Sequence, residues 1–291
     1  MTDPAVNRRG IVLMLMAMFA YALNDAFVKG TAHALPAGQV LAVRGVFATA
    51  CVLLVMQARR QPAWRGLAFH PLLALRCGLE ITTALSSVLA LTRVPLATVT
   101  AIMMSAPLIV GIVSSALGWE SWQPRRLVLT LIGLAGVLAI VQPWSRSIAQ
   151  GSDTGIGFAA VCALSLATRD LVTRRLPSAI PSGSVTMLIT AAVCAAGFLV
   201  GLSEQWPPLR ASSAGLLLLA AVATAAGNHA LLAACRNTDL SVVAPFRYSM
   251  VLWSMLLGML FWNEWPTDSA VLGIALAATA GILASRRMEN R

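Results

Sequence analysis

Residues 10–25 read GIVLMLMAMFAYALND and residues 155–170 read GIGFAAVCALSLATRD, two apolar runs 145 positions apart, each opened by a glycine and closed by an aspartate. A run of about 20 mostly apolar residues, rising about 1.5 Å per residue as a helix, matches a hydrocarbon layer about 30 Å thick. The pattern continues along the chain. Of 291 residues, 58% are hydrophobic and 11% charged, with a mean hydropathy of +0.79. A soluble domain carries about 25% charged residues, so a soluble globular fold is excluded. Apolar windows between charged or Pro/Gly breaks predict spans at 10–30, 37–57, 70–91, 95–116, 125–142, 154–173, 182–202, 213–234, 240–261 and 267–285. The longest loops, near 58–69, 143–153 and 203–212, are too short for a soluble domain. Arg8 and Arg9 precede an apolar run too long for a signal peptide and without a clear cleavage site, which reads as the first span.

The two opening runs belong to a longer self-similarity. The offset of 145 also relates Pro36-Ala37-Gly38-Gln39-Val40 to Pro181-Ser182-Gly183-Ser184-Val185, and Lys29 to Arg174. Leu96 to Glu120 tracks Leu240 to Glu264 at 144, with Trp122 close to the position matching Trp265, and Gly136-Val137-Leu138 matches Gly281-Ile282-Leu283 at 145. Each half holds five spans, an odd number, so the second half enters the bilayer from the opposite face. Such inverted repeats are a signature of secondary transporters. The fold class expected is an all-α membrane protein of ten transmembrane helices arranged as two inverted five-helix repeats, residues 1–145 and 150–291. The alternative is coincidental likeness between apolar runs.

The net charge of +10 would suggest nucleic acid in a soluble protein. Here the positive-inside rule accounts for it, and no nucleic-acid partner is expected. Alternate loops divide the basic residues unequally: Arg8, Arg9, Arg59, Arg60, Arg65, Arg125, Arg126, Arg174, Arg175, Arg236, Arg286, Arg287 and Arg291 on one side, against Lys29, Arg93, Arg146 and Arg210 on the other. This bias predicts an inner-membrane protein with both termini cytoplasmic. The five cysteines, Cys51, Cys77, Cys162, Cys194 and Cys235, fall in apolar stretches without a CxxC pair, so neither a disulfide framework nor a zinc site is expected.

Three segments narrow the class: Pro95-Leu96-Ala97 through Ala106-Pro107 to Gly118-Trp119-Glu120, its counterpart Asp239-Leu240-Ser241 to Asn263-Glu264, and Asp25-Ala26-Phe27-Val28-Lys29 with Arg44-Gly45 and Arg76 beyond it. In these the chain resembles ten-span members of the drug/metabolite transporter superfamily built from two EamA-type domains, over nearly its whole length. The resemblance implies alternating access around a central cavity, often for export of metabolites, amino acids or toxic compounds. Some relatives import vitamins or nucleotide-like compounds instead. It also implies a glutamate closing the fourth helix of each half, here Glu120 and Glu264.

Ionisable groups in hydrocarbon are costly unless paired or wetted, which makes them the candidates for function. Asp25, Arg44, Arg76, Glu80, Arg169, Asp170, His229 and Arg247 lie within spans, with Asn24, Asn228 and Tyr248 as neutral neighbours. Helical rise places Asp25 about 8 Å and Arg44 about 10 Å below the outer face, so an ion pair between them is expected as an outer gate. Asp170 and Arg247 reach a common level near the inner face and form the matching inner pair, with Asn228 and His229 close by. Against this stands local pairing at i,i+4 spacing: Asp25 with Lys29, Asp170 with Arg174, and Arg76 with Glu80. Glu80, near the middle of its span, suits a proton, a cation or a substrate amine, or is neutralised by Arg76. Glu80, Asp25 and His229 are candidates for proton coupling. The excess of arginine over acid leans the cavity towards anionic or zwitterionic substrates. Met103, Met104, Phe246, Tyr248 and Trp253 line an adaptable cavity or serve ordinary packing, and Pro107 and Pro245 interrupt their helices. Glu120 and Glu264 read as interfacial anchors or helix-end hydrogen-bonding groups.

The leading reading is therefore a secondary carrier of a small organic metabolite, expected to be an exporter, acting as a monomer or homodimer in the lipid bilayer. A lipid or lipid-linked-intermediate flippase and a vitamin or nucleotide-like importer are the alternatives. No HExxH, GxSxG or GxxxxGK[ST] pattern occurs, so no enzyme, catalytic residue, metal, cofactor or primary pump is expected.

Overall fold

The structure is a computed structural model that describes residues 4–58, 60, 70–118, 152–175, 182–237 and 244–265, with 128, 132, 135, 136, 268, 271–273, 275, 276 and 279 besides. The expected fifth and tenth spans (125–142 and 267–285) lie for the most part outside the described residues, as do Glu120, Trp122 and Asp239-Leu240-Ser241. Regular structure among the described residues is helical: α1 (Pro4–Ala32), α2 (Ala37–Ala58), α3 (Pro71–Leu91), α4 (Leu96–Met103), α5 (Ala106–Ala116), α6 (Ser152–Arg174), α7 (Ser182–Gly201), α8 (Ala211–Asn237), a 3-10 stretch (Ala244–Tyr248) and α9 (Ser249–Trp262). Six of them, α1–α3 and α6–α8, are long and apolar enough to cross a membrane.

Local chemistry sets the ends. α1 closes where Ala34 and Leu35 both donate to the Thr31 carbonyl, and Pro36 then begins the turn into α2. His70 caps α3, its Nδ1 accepting from the Leu72 N–H at 3.3 Å, with Pro71 in the first turn where no N–H is needed. The stretch expected as the fourth span is broken in two. α4 ends at Met103, Met104 and Ser105 form a turn, and α5 begins at Ala106. Pro107 has no N–H to offer the Met103 carbonyl, so the α-helical ladder cannot run through. A comparable interruption precedes α9, where Pro245 lies in the 3-10 stretch. At both breaks a serine Oγ donates to the carbonyl three residues back: Ser105 to Ile102 and Ser249 to Phe246, each at 2.6 Å. The breaks fall where the two prolines place them.

Packing runs between distant parts of the chain. α1 lies along α8, α2 along α7 and α3 along α6, while α9 packs on α1 and α4. The main core gathers Met14, Val28, Leu91, Leu96, Val99 and Leu217, all nearly inaccessible. Outside, Leu54, Leu199, Leu202, Leu260 and Phe261 are exposed. In water such a surface would be an aggregation hazard; against lipid it is the expected exterior. The α2–α7 contact is close because its residues are small. A Cβ on Gly45 would stand 2.6 Å from the Cys194 Cα.

Candidate functional site

A helix satisfies its own backbone in lipid but not its charged side chains, which must look to neighbouring helices or to water. Two polar clusters meet that need here. The first joins α3 to α6. Arg76 Nη1 donates to Glu80 Oε2 at 2.5 Å, and Arg169 Nη1 approaches the same oxygen at 3.4 Å. Arg169 also clasps Asp170 through Nη2 at 2.9 Å and Nε at 3.1 Å. Arg76 Nε donates to Thr173 Oγ1 at 2.8 Å. Two guanidinium groups and two carboxylates thus form a charge-balanced chain. The second cluster joins α1 to α8. Tyr21 donates to Asn228 Oδ1 at 2.5 Å, and one turn further on Thr224 Oγ1 donates to Asn24 Oδ1 at 2.9 Å. Asn24 Nδ2 in turn donates to Asp25 Oδ1 at 2.8 Å, and Asp25 is buried.

Arg44 differs from both groups. It is half-buried on α2, beside Gly45 where the helix meets α7, and has no hydrogen bond or ion pair with any described residue. The carboxylates of Asp25 and Glu80 act on it from a distance. An arginine at the centre of a span costs about 2.5–3.5 kcal/mol against lipid on insertion scales, so an inward, wetted position is favoured over a lipid-facing one.

The pairs expected from the sequence are redistributed. The Arg76–Glu80 pair forms as its spacing predicts. Asp25 makes no ion pair with Arg44, because Asn24 holds its carboxylate and no guanidinium nitrogen comes within 4 Å. Nor does Asp25 pair with Lys29, whose ammonium meets Glu264 instead. Asp170 is occupied by its neighbour Arg169, leaving Arg247 without an ion pair among the described residues. The Arg174 side chain lies outside the described residues. Arg247 and Tyr248 are half-buried in the 3-10 stretch, and His229 is exposed on α8. Met103, Met104, Phe246 and Trp253 pack against the main core, and Trp253 stands edge-on to Phe19 at 5.1 Å. Glu264, read from the sequence as an anchor or helix-end hydrogen-bonding group, does accept from the Leu96 N–H at the start of α4, at 3.0 Å; sequence reasoning missed the partners Tyr21, Thr173 and Thr224. Only the polarity of Tyr21, Thr173 and Thr224 on otherwise apolar helices could have signalled them.

Long apolar helices that keep ion pairs and amide hydrogen bonds between them define a multi-pass membrane protein with a polar interior. The model of the EamA-like transporter family matches residues 8–142 and 153–286, and the chain belongs to that family. It is 28% identical to the pseudopaline exporter CntI of Pseudomonas aeruginosa, over 97% of this chain and 98% of that one. To a riboflavin transporter of Rhizobium johnstonii it is 27% identical, over 78% of this chain and 72% of the other. A solved crystal structure with 20% sequence identity matches 96% of this chain and 98% of its own with a TM-score of 0.68, a likeness of fold.

Proposed function

We propose that this transporter is a secondary carrier that moves a small organic metabolite by alternating access, in the export direction, with a preference for anionic or zwitterionic substrates. The observation that carries the reading is Arg44, a half-buried guanidinium within a span that has no hydrogen bond or ion pair with any described residue, while Asp25 accepts from Asn24 and Glu80 pairs with Arg76. A substrate carboxylate is the group it suits, because the guanidinium fork matches an anion bidentately. The pseudopaline exporter among the relatives supports the direction. The riboflavin transporter favours a second reading, uptake of a vitamin-like compound.

In this reading ten spans form two inverted repeats, 1–145 and 150–291, in the inner membrane with both termini cytoplasmic. The exchange of partners in the bundle supports it: α1 lies on α8 as its repeat mate α6 lies on α3, and the mates α2 and α7 lie on each other. Asp25 on α1, and Arg76, Glu80 and Asp170 in the chain between α3 and α6, are the charged groups that substrate or a coupled proton would meet. Asn24, Asn228, His229, Arg247 and Tyr248 border them. One carrier unit encloses its own cavity and works as a monomer.

Counterflow of labelled metabolites in proteoliposomes, with and without a pH gradient, tests the proposal. Arg44→Ala is expected to abolish counterflow of carboxylate substrates at normal protein yield, and Asp25→Asn to impair it. Unchanged counterflow in Arg44→Ala would remove the assigned site.

A further inference from the structure

We propose that Glu264 is a gating residue, its carboxylate latching the side of the bundle on which α1 ends, and that transport requires this latch to release. Both oxygens of the carboxylate are committed. Oε1 pairs with Lys29 Nζ near the end of α1, and Oε2 accepts from the Leu96 N–H at 3.0 Å, at the start of α4. Lys29 is 3% exposed; it also reaches the Val94 carbonyl at 3.5 Å and lies over the Trp262 ring at 5.3 Å. A single side chain just beyond α9 thereby gathers the ends of α1, α4 and α9.

Each commitment has a local cause. The residue capping α4 is Pro95, which makes no side-chain cap, so the first N–H groups and the positive end of the helix want an acceptor. Asn263 takes a left-handed conformation, φ 53°, and turns the chain so that the Glu264 N–H bonds to the Gly258 carbonyl at 3.1 Å. A Cβ at Gly258 would stand 3.0 Å from Glu264 Oε2, so glycine keeps the place of the carboxylate open. Beneath the latch α4 and α9 touch through Thr100 Oγ1 and Ser254 Oγ, 2.9 Å apart and both fully buried. The same device recurs on this side: Glu204, just beyond α7, accepts from the Gly38 N–H at 2.9 and 3.2 Å, at the start of α2. Both carboxylates come from the second half of the chain and both helix starts from the first. Parting the halves on this side breaks the two ties, whereas parting them on the other side leaves the ties intact.

The inference rests on the alternating-access reading, but its test needs no substrate. Ser254→Cys is placed in a background lacking the native cysteines, and a membrane-impermeant maleimide is applied to the face on which α1 ends. Slow labelling is expected while Glu264 is present. Glu264→Gln should raise the rate about tenfold, equivalent to about 1.4 kcal/mol in the opening equilibrium. The double variant Lys29→Gln/Glu264→Gln should do the same while leaving no buried charge unpaired, which protects the test against a folding failure of the single variant. Equal labelling in the parent and both variants, at normal yield, overturns the latch. A failure to find transport of any metabolite overturns the carrier reading and leaves the labelling result standing.

Discussion

Glu80 is the residue on which most charge converges, because Arg76 and Arg169 both answer it. Glu80→Gln leaves the two guanidinium groups facing each other with one carboxylate, Asp170, to share. Breaking a fully buried pair by removing one partner costs about 3–5 kcal/mol, and these side chains are partly buried, so a smaller but measurable fall in the thermal unfolding midpoint of the purified protein is expected. Arg76→Met/Glu80→Leu, which removes both members and leaves Arg169 with Asp170, should recover most of that loss. If the double variant is as unstable as the single one, the stability resides in packing and not in the pair. Depth along a helix was legible in the sequence only as a count of residues from the start of a span, since rise per residue is fixed. Which way a side chain points around its helix was not. The i,i+4 rule succeeds for Arg76 and Glu80 and fails for Asp25 and Lys29, because it knows nothing of an acid arriving from position 264.

At the level of elements, the breaks in the fourth span and before α9 were legible from proline chemistry alone. Pro107→Ala restores an N–H to the ladder and is expected to straighten the helix across residues 103–107. The variant should keep its thermal stability and lose transport rate, measured as counterflow against time. A rate equal to the parent's would show that the break at Met104 and Ser105 is a packing accommodation. The pairing of helices was far less legible, since lipid-like hydrophobicity on every face leaves no stripe to mark an interface. What marks α2 against α7 is smallness. Gly45→Val places side-chain atoms where the Cys194 backbone already lies, and overpacking of this kind typically costs about 1–3 kcal/mol. Lower yield and a lower unfolding midpoint are expected, while Gly78→Ala on α3, where a Cβ meets nothing within 4 Å, should be silent in the same assay.

For the molecule as a whole, a substrate that binds the folded state must stabilise it. A free concentration of 100 times Kd raises stability by about 2.7 kcal/mol. A screen of metabolite classes against the unfolding midpoint is therefore expected to single out carboxylate-bearing compounds, with the shift lost in Arg44→Ala. Stabilisation by cationic compounds alone would contradict the electrostatic argument. The membrane class was legible from composition, a property of the whole chain, and the family from the resemblance carried by the segments around Pro95–Glu120, Asp239–Glu264 and Asp25–Lys29. The way α1 leans on α8 was not legible, and it has a consequence for biosynthesis. At roughly 5–20 residues per second, α8 leaves the ribosome roughly ten to forty seconds after α1. Through that interval Tyr21 and Asn24 must wait for Asn228 and Thr224, which are not yet made. The nascent first half therefore needs the insertion machinery as a temporary neighbour until the late helices arrive to take over.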